Sequence, residues 1–229
     1  MLDAFLLKKL DQCAQQAGLA VRGAFHPRAG EFEQLELTQP GTIVLLGFTA
    51  SLQWRAFAVS GEAADGLSQP LDRWSRRVIG ELAMQFNARD VYPSESPILP
   101  FQQFAQRCEP VHPSPIGLLI HTHWGLWHAY RGALIFQQRI ELPGLDSSVS
   151  PCRSCQDKPC LSSCPVDAFE SGSFNVEQCV GHIASDAGAD CRELGCRARR
   201  ACPVGPQFTY IPEQASFHMR AFLRACEVG

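Results

Sequence analysis

Apolar residues recur at helical spacing in two long stretches. Leu6, Leu7, Leu10, Cys13, Ala14 and Ala17 share one face of residues 3–17, with Asp3 placed to cap the start and Gly18 to stop it. From Pro70 onward, Leu71, Trp74, Val78, Leu82 and Phe86 form a second stripe, and Pro70 suits a first helical turn. A shorter helix is expected over 100–108. Other stretches carry strand signals. Thr42 to Phe48 is a β-branched apolar run bounded by Pro40 and Gly41, the pattern of a buried strand. Leu19 to Phe25 reads as extended, and residues 26–39 as a polar loop. Ile116 to His121 predicts a strand, residues 122–127 a turn, and residues 128–140 a longer strand. Together these three predict a hairpin in a mixed sheet.

The pattern changes after Leu142. A Pro-Gly-Asp-Ser segment leads to Cys152, and beyond it lie Pro159, Pro165, many small residues and short segments. The chain is therefore expected to divide into a domain over 1–146 and a smaller one over 147–229. Metal-bound modules look like the second part, because metal bonds replace a large core.

Composition narrows the class. The chain has 229 residues, 45% hydrophobic and 19% charged, as in ordinary globular proteins. A net charge of −3 gives no electrostatic case for nucleic acid or an anionic membrane, so neither partner is expected. No run of 18 apolar residues occurs, and the N-terminus lacks the apolar region and cleavage site of a signal peptide. A cytoplasmic location is expected, where clustered cysteines mean metal or redox chemistry rather than disulfides.

The eleven cysteines carry the chemistry. Cys152, Cys155, Cys160 and Cys164-Pro165 follow C-x2-C-x4-C-x3-C-P, two residues longer between Cys155 and Cys160 than the bacterial ferredoxin run. Cys179, Cys191, Cys196 and Cys202-Pro203 follow. Eight thiolates suffice for two 4Fe–4S clusters, and two precede proline; C-x2-C pairs also suit zinc, which is the rival. In two-cluster ferredoxins the last cysteine of each run ligates the other cluster. That rule assigns Cys152, Cys155, Cys160 and Cys202 to one cluster, and Cys164, Cys179, Cys191 and Cys196 to the other. Cys13, Cys108 and Cys226 read as core or surface thiols. Arg192, Arg197, Arg199 and Arg200 read either as compensation for anionic clusters or as a docking patch for an acidic donor.

A second unusual stretch runs from Ile120 to Gly132. It holds His121, His123, His128, Trp124, Trp127, Tyr130 and Arg131. Such density suits the wall of a large planar ligand, with hydrogen-bonded structure as the plain alternative and a His121–His123 metal pair as another.

The Ile120–Gly132 stretch, I-H-x-x-x-G-x-W-x-A-x-R-G, resembles CblC-type cobalamin-processing proteins, and the similarity runs over residues 15–145. The cysteine half resembles the two-cluster tail of epoxyqueuosine reductase and corrinoid reductive dehalogenases. The resemblance implies an α+β fold: a flavin-reductase or nitroreductase-like mixed-sheet domain with a small bacterial-ferredoxin-like two-cluster domain. It implies cobalamin (a corrinoid) held by His121, His123, Trp124, Trp127, Tyr130 and Arg131. Arg131 and His121 take the catalytic roles, Arg131 near the upper axial face. Flavin ranks lower, since no glycine-rich phosphate loop is present. The acidic catalytic residue and the HEAT-like repeat of epoxyqueuosine reductase are not matched, which argues against a tRNA substrate.

The reading at this point is a cobalamin-binding iron–sulfur oxidoreductase. It would pass electrons through two 4Fe–4S clusters to corrinoid cobalt and support removal of the upper ligand. Reduced ferredoxin or flavodoxin is the expected donor, and the fold class admits a homodimer. The alternatives are an epoxyqueuosine-reductase-like cobalamin-dependent reductase and a non-enzymatic ferredoxin-type carrier.

Overall fold

The computed structural model describes residues 2–28, 30–32, 35, 41–144, 148–170 and 173–227. In chain order the elements are α1 (Leu2–Gln16), β1 (Ala20–Phe25), β2 (Thr42–Thr49), α2 (Trp54–Ala58), α3 (Gly61–Ala64), α4 (Pro70–Phe86), β3 (Arg89–Val91) and α5 (Phe101–Cys108). Then follow β4 (Val111–Pro113), β5 (Leu119–His121), β6 (His128–Phe136), α6 (Pro159–Ser162), β7 (Phe169–Glu170) and β8 (Ser173–Phe174). The chain closes with α7 (Val176–Ala184), α8 (Ala189–Leu194), α9 (Arg197–Arg200) and α10 (Pro212–Glu227). The α+β class that the resemblance implied holds. The Asp3 side chain lies outside the described residues, as does Pro40.

Two compact units result: Met1–Pro110 with Ala129–Ser147, and Val111–His128 with Ser148–Gly229. The boundary expected at 146/147 falls on residues outside the described ones. The segment 111–128, expected in the first domain, clusters instead with the second unit.

The first unit is built on a four-stranded sheet in the order β1-β2-β6-β3. β1 runs antiparallel to β2, with a register shift between Val21 and Gly23, and β3 runs antiparallel to β6. β2 is buried at every position. A strand flanked on both edges and covered on both faces needs such an unbroken apolar run rather than alternation. Gly47 is required there: a Cβ would stand 2.0 Å from the carbonyl oxygen of Ala129 on β6. The stripe on α4 buries Leu71, Trp74, Val78, Ile79 and Leu82. The Trp74 ring meets Phe48 on β2 at 5.7 Å and Phe57 on α2 at 6.0 Å.

The expected hairpin is corrected. β5 pairs antiparallel with β4, Val111 opposite His121, while β6 enters the other sheet and ends at Phe136 rather than 140. The reason lies in the turn. His121 and Gly125 exchange backbone hydrogen bonds at 2.8 and 2.9 Å, closing the reversal within five residues. Gly125 adopts φ +58, and a Cβ there would meet the Val204 carbonyl at 2.0 Å. The buried run from Gly132 to Phe136 instead fills an interior position of the first sheet.

The second unit is made of short elements, with α10 packed on α8 and α7. One apolar cluster joins Ile116, Ile120, Leu126, Cys160, Ala198 and Cys202; another joins Trp127, Tyr210 and Ala215. The 16-residue α10 was not expected from the sequence, although Pro212 opens it. No helix among the described residues is long and apolar enough to cross a membrane.

Candidate functional site

Short elements deliver the cysteines of the second unit. A single 3-10 turn, Pro151–Arg153, carries Cys152, and Cys155 follows it. Lys158 takes a left-handed conformation, which lets Pro159 start α6 with Cys160 inside it. Cys202 lies just past α9, and α9 packs against α6. Cys152, Cys155, Cys160 and Cys202 all line one cavity, whose remaining walls are mostly apolar and include Ile120, Leu126 and Val204. Each of these four thiols is within electrostatic reach of at least one other.

Cys164, Cys179 on α7, Cys191 on α8 and Cys196 at the start of α9 form a second group within reach of one another. Cys226 on α10 stands within electrostatic reach of Cys179. Cys13 and Cys108 lie in the first unit; Cys108 donates to the Phe104 carbonyl.

Burial pushes the thiols of Cys152, Cys160, Cys196 and Cys202 up, and that of Cys179 up to about 12, with neighbouring thiols adding to the effect at Cys179. Left alone they would stay protonated, so only a strongly cationic core would hold them as thiolates. Backbone N–H groups already aim at several sulfurs. Ala168 donates to Cys164 Sγ at 3.3 Å, the amides of Arg199 and Ala198 face Cys196, and that of Val204 faces Cys202. Among the described residues no three His, Cys, Asp or Glu side chains converge closely enough to share one ion. Four thiolates on a single zinc would stand about 3.8 Å apart; four on a cluster each take a different iron and stand further apart.

The arginines near the last cysteines are engaged within the unit. Arg197 and Arg200 both pair with Asp190, and Arg192 with Glu193 at 3.5 Å. Arg199 donates to the Leu126 carbonyl at 3.1 Å and lies 4.5 Å over both Trp127 and Tyr210.

The residues expected around a planar ligand are divided between the units. In the second, His121 is buried, and its Nδ1 accepts from the amides of His123 at 2.9 Å and Trp124 at 3.2 Å, capping the turn. His123 and Trp124 both pack on Phe208, at 4.9 and 4.5 Å between rings. Trp127 is 2% exposed and meets Tyr210 edge-on at 5.3 Å.

In the first unit, Arg131 donates to Ser75 Oγ at 2.9 Å and pairs with Asp72. With Tyr92, Ser94 and Tyr130 these three residues line a cavity of about 80 Å³. Behind it lies a feature the sequence did not show. The Tyr130 hydroxyl donates to Glu109 Oε2 at 2.5 Å, and Arg22 pairs with the other oxygen of Glu109 at 2.8 Å. Arg22 and Glu109 are both buried. Burial raises the Glu109 carboxyl above its ordinary range, Arg22 and Tyr130 opposing the rise without cancelling it. A buried acid of this kind holds its proton longer than a surface carboxylate does. Only Tyr130 and Arg131 had a local signal. Glu109, Arg22 and Asp72 are joined by the fold alone.

No protein-family model and no characterised protein sequence matches the chain. Solved structures do match. Epoxyqueuosine reductase from Bacillus subtilis, seen with its catalytic aspartate loop swung out of the active site, aligns over 93% of this chain and 71% of its own, with a TM-score of 0.52 at 14% identity. The enzyme from Streptococcus thermophilus aligns over 94% and 78%, with a TM-score of 0.51 at 14% identity. An epoxyqueuosine reductase bound to an epoxyqueuosine-modified tRNA-Tyr stem loop aligns over 93% and 71%, with a TM-score of 0.50 at 15% identity. The fold is thus that of epoxyqueuosine reductase across both halves. This corrects the CblC-type resemblance expected over residues 15–145. The motif from Ile120 to Gly132 had suggested it, but the turn that carries the motif closes inside the second unit. The cobalamin-processing reading falls with it.

Proposed function

We propose that this chain is an iron–sulfur oxidoreductase of the epoxyqueuosine-reductase type, acting on a modified nucleoside in an RNA stem loop. The observation that carries the reading is the sorting of eight cysteines into two groups of four, on a fold that follows epoxyqueuosine reductase over 93% of the chain. Cys152, Cys155, Cys160 and Cys202 would hold one 4Fe–4S cluster, and Cys164, Cys179, Cys191 and Cys196 the other. The cavity bounded by the first four thiols, the amides aimed at sulfur and the apolar shell all suit such a group. Such clusters, when bound, would supply single electrons.

The chain's own residues supply the rest. Removing an epoxide oxygen reductively consumes two electrons and two protons and releases water. Glu109, whose carboxyl is raised by burial and accepts from the Tyr130 hydroxyl, would hold one of those protons. Arg131, fixed by Ser75 and Asp72, would orient a polar group of the substrate. The side chains expected on a corrinoid do not by themselves make a corrinoid site. His121 Nδ1 is used by the turn, and Trp127 is enclosed by Arg199 and Tyr210. The stem loop on a structural neighbour also replaces the expectation that no nucleic acid binds.

The test is an anaerobic incubation of reconstituted protein with an epoxyqueuosine-modified stem loop and a chemical reductant. A product lighter by one oxygen is expected by mass spectrometry. Unaltered substrate from protein holding its full iron and sulfide would sink the proposal.

A further inference from the structure

The second unit carries a surface hollow whose walls include His112, Pro113, Cys152, Arg153, Cys155 and Lys158. Cys152 and Cys155 also line the inner cavity of the first thiol group. These two side chains are therefore a shared wall, with the metal position on one side and open solvent on the other. Electron transfer weakens steeply with distance, so a donor seated in the hollow would stand as near to the first group as the fold allows.

The charged residues that line the hollow are cationic, while Asp157, next to Lys158 in the chain, is exposed but not part of the lining. Arg153 and Lys158 are exposed and pair with no carboxylate among the described residues, and no Asp or Glu lines the hollow. His112 Nε2 is buried there without a hydrogen-bond partner among the described residues. Val149, beside the hollow's Ser150, is 67% exposed and adds an apolar contact. The arginines near the second thiol group differ. Arg192, Arg197, Arg200 and Arg220 are all paired with Asp190 or Glu193. The cluster of arginines visible in the sequence is thus largely engaged inside the unit, whereas Arg153 and Lys158 at the first thiol group are in no ion pair among the described residues.

We propose that this hollow is the docking face for a small acidic redox protein that delivers electrons one at a time to the metal group of Cys152, Cys155, Cys160 and Cys202. The inference rests on the iron–sulfur reading above. Cationic groups around a concave face attract an acidic donor and speed its encounter, with a strong dependence on salt. Each encounter moves one electron: the donor's centre is oxidised by one, the metal group is reduced by one, and no bond is made or broken.

Reconstituted protein titrated with reduced acidic flavodoxin at low ionic strength tests this. Arg153→Gln with Lys158→Gln is expected to weaken binding about fivefold or more. Arg197→Gln with Arg220→Gln, an equal loss of charge, is expected to change it less than twofold. A carbodiimide should link Lys158 to a donor carboxylate. The visible spectrum of the first double variant should bleach with dithionite as the wild type does. Equal weakening by both double variants, or by neither, overturns the docking face. So does competition for Arg153 and Lys158 by an unmodified RNA stem loop with flavodoxin binding unchanged. Wild-type protein without iron and sulfide overturns the iron–sulfur reading itself, and iron analysis separates that failure from the others.

Discussion

The two units reach stability by different means. The first buries an unbroken strand, β2, between neighbouring strands and under the aromatic face of α4. The second has two small apolar clusters, one of which contains two of its own thiols. Apolar burial gives the first unit a core that needs no ligand. On the proposed iron–sulfur reading, Cys160 and Cys202 of the second would be both core residues and cluster ligands, so its packing and its metal content would be one quantity. The difference teaches where each kind of damage should appear.

The largest effect is expected from removing metal. Chelation under reducing conditions should abolish amide-exchange protection in α7, α8 and α10, while β2 and β6 stay protected. Equal protection in both units after iron loss would break the comparison. Cys160→Ser sharpens it further. Iron should fall from about eight to about four per chain, whereas Cys13→Ser should leave the count unchanged. Metal analysis with acid-labile sulfide decides between them.

Next in size are two changes confined to the first unit. Phe48→Ala opens space beneath Trp74 and should cost about 3–5 kcal/mol. Glu109→Gln leaves Arg22 buried without its counter-charge, and one-sided removal of a buried pair costs about 3–5 kcal/mol. Denaturant melts should report both losses in the first unit with iron content retained. On the proposed reaction, Glu109→Gln should also suppress turnover more than Phe48→Ala does, because Glu109 would hold a proton for it.

The same contrast explains what the sequence disclosed. The stripe from Leu71 to Phe86 and the run from Thr42 to Phe48 are local patterns with one structural solution each, and α4 and β2 follow them. The grouping of the cysteines was also suggested by their spacing and Cys-Pro pairs, and the structure brings Cys152, Cys155, Cys160 and Cys202 to one cavity. Pairing partners are another matter. Ile116 to His121 and His128 to Ile140 are adjacent apolar runs, and adjacency suggested a hairpin. The tight His121–Gly125 reversal sends them to different sheets, and nothing in either run encodes that. Glu109 shows the limit most clearly. In sequence it is one acid between Cys108 and Pro110. Only the meeting of α5 with β1 and β6 turns it into a buried acid flanked by Arg22 and Tyr130. The density of histidine and tryptophan from His121 to Trp127 suggested a ligand wall, whereas much of it serves the turn and the packing on Phe208 and Tyr210.

The smallest prediction uses pH and sets a surface acid against the buried one. Glu62 on α3 accepts from Arg77 at 2.6 Å, and that hydrogen bond lowers its carboxyl from 4.5 to about 2. A carboxyl lowered in the folded state adds stability above its unfolded value and loses it as pH falls toward the folded value. The contribution of Glu62 is therefore present above about pH 4.5 and disappears between there and about pH 2. Glu109 has the opposite sign. Its carboxyl is raised by burial, so it weakens the fold as pH climbs above the ordinary carboxylate range. Glu62→Gln should flatten the acid limb of the stability profile by less than about 1 kcal/mol, the usual size for a pair with one exposed partner. Glu109→Gln should flatten the rise-side loss instead. Thermal melts of the two variants from pH 2 to 8 check both signs, and an unchanged acid limb in Glu62→Gln would remove the Arg77 pair from the account of the first unit's stability.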